Sequence, residues 1–268
     1  MSKNHSLFAN VYLELQPIKN LRYRSSFGYK MNASSYRQYT PIYNLSTTSS
    51  NVTDDVNQSQ SLGFSYTFDN TVSYLMSVDD IHNIDGVIGQ SIEKWGMGEG
   101  VSGRNSNTLF PGSWDHAWLV NTQGISATET AVGGSPWGAG ALASFFGRVN
   151  YDYMEKYMAT LILRADGSSN FARGKRWGYF PSVSAGWVVT NEPFMEGTQS
   201  WMDFFKIRGS WGQNGNASIS PFQYLATISF DRRNGYYFGD NKTDLVTGGY
   251  ADILPNPDVT WETSEQLN

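Results

Sequence analysis

From Leu62 onward, apolar and polar residues alternate almost without a break. Leu62, Phe64, Tyr66 and Phe68 fall on one side of an extended chain, and Ser61, Gly63, Ser65 and Thr67 on the other. Val72, Tyr74, Met76 and Val78 continue the first set against Thr71, Ser73 and Ser77. Period-two alternation marks a β-strand, because successive side chains leave opposite faces of the pleat. The run is far longer than the roughly 5–6 residues of an ordinary globular strand. The same rhythm recurs along the chain. Leu7, Ala9, Val11, Leu13 and Leu15 oppose Asn10 and Glu14, and Leu21, Tyr23, Phe27 and Tyr29 oppose Arg22, Arg24, Ser26 and Lys30. Phe145, Val149, Tyr151 and Tyr153 oppose Ser144, Arg148, Asn150 and Asp152, and Tyr157, Ala159, Leu161 and Leu163 oppose Thr160, Arg164 and Asp166. Val183, Ala185, Trp187 and Val189 oppose Ser182, Ser184, Gly186 and Thr190, and Phe205, Ile207 and Trp211 oppose Lys206, Arg208 and Ser210. Ile81–Trp95 is expected to be a further strand, with poorly separated faces and a bulge.

The connections alternate in length. Pro17–Asn20, Asp79–His82 and Met154–Lys156 are short, whereas residues 31–57, 96–140 and 214–258 are long and rich in Gly, Ser, Thr and Asn. Asn191–Phe204 is intermediate and is expected to hold a helical turn near Ser200–Phe204. Long structureless loops are uncommon in compact soluble domains. Short turns at one end and long loops at the other are the layout of outer-membrane barrels.

The residue types on the two faces sharpen this. The apolar face carries Tyr29, Tyr66, Tyr74, Tyr151, Tyr153, Tyr157, Trp187 and Trp211, placed towards strand ends where a bilayer interface favours aromatic rings. The opposite face carries Arg22, Arg24, Arg148, Asp152, Arg164, Asp166, Lys206 and Arg208, which suit a lumen filled with water or a plug. A secreted carbohydrate-binding β-sandwich with a Tyr-rich core fits the same alternation and is the competing expectation. Composition agrees with either. Charged residues make up 16% and aromatics 15%, the reverse of a disordered chain. Mean hydropathy is −0.42. No Cys excludes a disulfide scaffold or a Cys-ligated metal, and a net charge of −5 offers nucleic acid no basic footprint. No apolar run approaches the ~18 residues of a transmembrane helix. The N-terminus has no secretory signal pattern. Both ends read as cut from something longer.

Bond-breaking chemistry is hard to assemble. His5, His82 and His116 show no metal-ligand spacing. Ser113-Trp-Asp-His116 holds triad residue types, but sequence adjacency is not the required geometry. Asp54–Asp55 and Asp79–Asp80 are expected to be solvated turns rather than carboxylate pairs. Gly96-Met-Gly-Glu-Gly100 lacks the helix a phosphate loop needs, and Arg173-Gly-Lys-Arg176 is expected to be a solvated loop tip. No catalytic residue, metal or cofactor is expected. The long connections are richer in aromatics: Tyr39, Tyr43, Trp114, Trp118, Trp137, Tyr224, Tyr236 and Tyr237. Such rings stack on sugars or grip a partner, or else pack the loops together. The candidate ligand contacts are Trp114, Asp115, His116, Trp118, Trp137, Tyr236 and Tyr237.

Ordered blocks between Ala143 and Trp261 carry a family resemblance. They are Arg148-Val-Asn-Tyr-Asp-Tyr153, Lys156-Tyr157, Leu163-Arg-Ala-Asp-Gly-Ser-Ser-Asn-Phe171, Arg176-Trp-Gly-Tyr-Phe-Pro-Ser-Val-Ser-Ala-Gly-Trp187 and Glu192-Pro-Phe-Met195. Lys206-Ile-Arg-Gly-Ser-Trp-Gly-Gln-Asn-Gly-Asn216 and Leu254-Pro-Asn-Pro-Asp-Val-Thr-Trp-Glu262 complete the series. This order closely resembles the SusC/RagA-type TonB-dependent outer-membrane transporters of Bacteroidetes. The resemblance implies a multi-pass barrel of about 22 strands with a plugged lumen, embedded in outer-membrane lipid. It implies import of glycans, oligosaccharides or peptides, a SusD-like surface lipoprotein as lid, and energy from the TonB complex acting through the plug. The expected fold is therefore all-β: an antiparallel transmembrane β-barrel segment of about eight to nine strands from a larger barrel. Residues 1–268 are expected to be a partial barrel domain, without the plug, signal peptide or C-terminal strands, and inactive in transport by themselves.

Overall fold

A computed structural model describes residues 1–125, 129–136, 138, 140–198, 200–237 and 245–268. The strands are β1 (Ser2–Ile18), β2 (Leu21–Thr40), β3 (Tyr43–Ser46), β4 (Ser49–Asn51), β5 (Asp55–Val78), β6 (His82–Ser106) and β7 (Ala131–Pro136). They continue with β8 (Gly140–Tyr153), β9 (Tyr157–Ser168), β10 (Trp177–Val188), β11 (Lys206–Asn216), β12 (Thr227–Tyr237), β13 (Leu245–Ile253) and β14 (Glu262–Leu267). One sheet runs β1-β2-β5-β6-β8-β9-β10-β11-β14, with β7 paired to β6. β3–β4 and β12–β13 are separate hairpins. Sequence neighbours are spatial neighbours along most of the path, as in an up-and-down meander.

The long connections differ from expectation. β2 continues to Thr40, β6 to Ser106 and β11 to Asn216, so part of each expected loop is strand. β5 has 24 residues and β6 has 25, whereas crossing a bilayer takes about 9–11. The polar outer ends satisfy their backbone groups by pairing even without apolar burial. The Thr198 carbonyl accepts the Trp201 and Met202 amides at 3.1 and 2.9 Å, a turn that overlaps the one expected near Ser200–Phe204; before it comes a 3₁₀ turn over Pro193–Thr198. Proline opens it, where its missing N–H has no partner to lose.

The short turns are where the sequence placed them. Asp79 and Asp80 both sit at φ 54°, the paired left-handed conformation of a tight hairpin turn. Met154 and Glu155 adopt the same geometry at φ 53° and 56°, although neither residue type favours it. Asp152 helps hold that turn by accepting the Glu155 amide at 3.0 Å.

Two compact units divide the chain. One comprises Met1–Tyr12, Ser26–Phe68 and Glu93–Ala139; the other comprises Leu13–Ser25, Asp69–Ile92 and Gly140–Asn268. Apolar residues buried across the described chain are few: Val56, Ala117, Phe171, Phe180, Val188 and Val189. Such a core is too small for a water-soluble chain of this length. A β-sandwich would bury the apolar strand faces against a second sheet. Here Leu161 is 59% exposed and Tyr179 64%. The sandwich alternative is therefore set aside.

Candidate functional site

In the second unit, register sorts the side chains into two faces. Val149 pairs with Leu161, Leu161 with Val183, and Val183 with Trp211. One position along, Asn150 pairs with Thr160, Thr160 with Ser184, and Ser184 with Ser210. One of these two cross-strand rows is wholly apolar and the other wholly polar, a contrast that specifies register. The apolar face includes a shallow groove of about 590 Å³ lined by Val72, Ile88, Val149, Leu161, Leu163, Val183 and Trp211 among others.

Aromatic rings bound this apolar face at the short-turn end. His82 lies 5.1 Å from Tyr153, Tyr153 6.1 Å from Tyr157, Tyr157 6.4 Å from Trp187 and Trp187 6.5 Å from Phe194, centre to centre. Phe145 and Trp177, 5.9 Å apart, stand at the other end of the same face. Trp177 and Trp187 are the two same-face ends of β10. At about 3.3 Å per residue they are roughly 33 Å apart along the strand. A tilt of about 40° projects this onto about 25 Å, the height of the apolar band of an outer-membrane barrel.

Glu192 anchors the short-turn ring. It accepts hydrogen bonds from the Tyr157 hydroxyl at 2.6 Å, the Trp187 indole at 3.0 Å and the Lys156 ammonium at 3.3 Å. The Tyr157 and Trp187 bonds hold its carboxyl below the usual range, with Lys156 adding to them against a smaller opposing effect of burial. Sequence reading had placed Glu192 in a family block without a role. Trp187 is near in sequence, but Tyr157 and Lys156 lie 35 and 36 residues away, so the local sequence did not signal the cluster.

On the polar face the register brings Arg148, Asp152, Arg164, Asp166, Lys206 and Arg208 to one side. Arg164 donates through Nε to both Asp166 oxygens at 2.9 and 2.7 Å, and through Nη2 to Ser144 at 3.2 Å. Arg148 lies 3.7 Å from Asp85, which also accepts from Asn150 at 3.1 Å. Asp85 was not among the expected residues, because the faces of Ile81–Trp95 separate poorly in sequence. Lys206 reaches Met158 Sδ at 3.0 Å. In β2, Arg22 pairs with Glu14 at 3.5 Å, and Arg24 lies two positions further along.

The first unit holds a folded loop between Asn107 and Gln123. Asp54, only 2% exposed, organises it. Its carboxylate accepts the Thr108 amide at 2.8 Å, the Thr108 hydroxyl at a very short distance, and the Tyr39 hydroxyl at 3.0 Å. Burial pushes this carboxyl up, and the Thr108 and Tyr39 bonds together outweigh it, leaving it below the ordinary range. The expectation of a solvated Asp54 is thus corrected: its side chain turns inward to satisfy loop donors. Asp55 points elsewhere and meets Arg104 at 3.5 Å.

Trp114 and Trp118 stand on one turn of this loop, and both cover Arg37. Its guanidinium carbon is 4.3 Å from one ring centre and 3.9 Å from the other. Asp115 supplies a backbone carbonyl to the Trp118 indole at 2.8 Å. His116 Nδ1 is 2.9 Å from the Ser113 hydroxyl, and its ring lies 4.7 Å from Phe110. That Ser–His contact closes a local turn, since the partners are three residues apart. Among the described residues, no group of His, Cys, Asp and Glu has metal-binding geometry.

A family profile described as TonB dependent receptor-like, beta-barrel, matches residues 2–268. The chain belongs to this family. TonB-dependent receptor P26 of Formosa agariphila is 30% identical over 200 residues, covering 75% of the chain and 19% of the relative. Receptor P39 of the same organism is 26% identical over 263 residues, covering 96% and 23%. TonB-dependent receptor SusC of Bacteroides thetaiotaomicron is 34% identical over 132 residues, covering 47% and 12%. The chain thus spans about a fifth of the Formosa relatives, at 19% and 23% of their lengths. The RagAB peptide transporter structure superposes with a TM-score of 0.81 at 22% identity, covering 99% of the chain and 28% of the neighbour. At that identity the likeness establishes the fold.

Tyr236 and Tyr237 stand on β12, opposite Val246 and Leu245 of β13, and both are exposed. Trp137 lies outside the described residues. The structure therefore brings together Trp114, Asp115, His116 and Trp118. It adds Arg37, Tyr39 and Asp54, which local sequence could not join to them. The Arg173–Arg176 tip is exposed, with Lys175 facing Asp258 at 3.7 Å and Arg176 donating to the Phe171 carbonyl at 3.2 Å.

Proposed function

We propose that the chain forms part of the barrel wall of a TonB-dependent importer in the bacterial outer membrane. The observation that carries this is the uncovered apolar face of the second unit, bounded by aromatic rings about 25 Å apart and backed by a polar face. Lipid covers the apolar side. Arg148, Arg164, Asp166, Lys206 and Arg208 line the lumen. The long connections face the exterior, where the loop bearing Trp114 and Trp118 meets cargo or a lid.

The cargo on this reading is a glycan, an oligosaccharide or a peptide, and the lid is a SusD-like surface lipoprotein. The named relatives support that range: SusC is a TonB-dependent receptor, and RagAB is a peptide transporter. Energy arrives from the TonB complex through a plug held elsewhere in the intact transporter. The chain's own residues bind, line and seal, and none is assigned to bond breaking.

A deletion of the whole gene tests the reading. The mutant should stop clearing at least one member of a panel of oligosaccharides and peptides from the medium, and a protonophore should reproduce the defect in the parent. Equal clearance by mutant and parent across the panel contradicts it.

A further inference from the structure

We propose that Arg37 is an anion-recognition residue, presenting its guanidinium edge to a carboxylate carried by the ligand. This deepens the importer reading and rests on its exterior placement of the long connections.

The geometry is specific. Trp114 and Trp118 lie four positions apart on a turn, so both indoles reach the same guanidinium. Their centres are 4.3 and 3.9 Å from its central carbon. Stacking occupies the π-faces of an Arg and leaves its planar rim of five N–H donors. Among the described residues, only one of these is engaged, by a long bond from Nη1 to the Ala117 carbonyl at 3.5 Å. Among the described residues, no carboxylate lies within ion-pair distance of Arg37.

A cation kept only for packing would be expected to have its rim satisfied. Arg37 is half-buried and not sealed within the fold. The indoles hold the fork in a fixed plane, and the Asp54–Thr108 bonds fix the loop that carries them. A pre-oriented guanidinium with open donors matches a carboxylate through two parallel N–H···O bonds. The Trp pair therefore orients a cation instead of stacking on neutral sugar alone.

Binding to protein purified in detergent from outer membranes tests this with two probe pairs. One pair is oligogalacturonate and its methyl ester. The other is a short peptide with a free C-terminal carboxylate and its amide. In at least one pair the charged member should bind about tenfold more tightly. Arg37→Gln should erase that preference, so that the charged and neutral members of the pair bind alike. Arg37→Lys, which keeps a charge between the indoles but not the fork, should restore only part. The pair that responds identifies the oxyanion's source. Equal binding within both pairs, absence of binding by both charged probes, or a preference that survives Arg37→Gln overturns the proposal. Loss of the outer-membrane location would instead overturn the importer reading.

Discussion

Asp54 shows how a single side chain can hold a long loop. It is buried, and its three donors come from Tyr39 and Thr108. Hydrogen bonds to a charged group contribute about 1.5–3 kcal/mol each, and orphaned donors add to the loss. Asp54→Asn should therefore speed hydrogen exchange at the Thr108 amide by about tenfold or more. The folded carboxyl lies below its ordinary value of 3.8. Its stabilisation is thus present above that value and lost as pH falls through the lower folded value. Protection at Thr108 should hold at about pH 5 and fall only in stronger acid, and the variant should lose that acid transition. The Trp pair was legible as a chemical feature because aromatic residues cluster in a polar stretch. Arg37 and Asp54 were not, because their partners are far along the chain and an Asp-Asp pair reads as a turn.

At the scale of elements, strands and short turns followed from alternation and turn chemistry. Asp79–Asp80 illustrates this: Asp tolerates the left-handed conformation the turn demands. Met154–Glu155 adopts the same conformation against residue preference, held by the pairing of β8 with β9 and by Asp152. Glu155→Gly should therefore stabilise the hairpin by about 1 kcal/mol, seen as a higher unfolding midpoint in detergent. The outer extensions of β2, β6 and β11 were missed because their polar sequences carry no alternation. Glu192 joins the 189–198 turns to β9 and β10 by bonds to Tyr157 and Trp187. Glu192→Ala should lower the unfolding midpoint and open residues 191–204 to protease, and Glu192→Gln should do so less. Because its carboxyl sits below the ordinary 4.5, this contribution persists above that pH and fades as pH falls through the lower folded value.

At the scale of the whole molecule, the sparse buried core and the open apolar face are one fact. A chain with few charges and many aromatics folds without an inward hydrophobic cluster when lipid takes that role. Alternation showed the two faces, and ordered motifs favoured a barrel over a sandwich. What lay beyond the sequence was which cross-strand rows align and where the aromatic rings stand, since both depend on register. The central claim is that the face bearing Ala159, Leu161 and Leu163 meets lipid, while that bearing Met158, Thr160 and Ile162 meets the lumen. The chain has no Cys, so once any cysteine elsewhere in the intact protein is replaced by Ser, single cysteines in this segment can be spin-labelled one at a time in the membrane-embedded protein. The account predicts that labels at 159, 161 and 163 relax with oxygen dissolved in lipid, and labels at 158, 160 and 162 with a water-soluble nickel chelate. Loss of the alternation, or apolar positions shielded from both reagents, would contradict it.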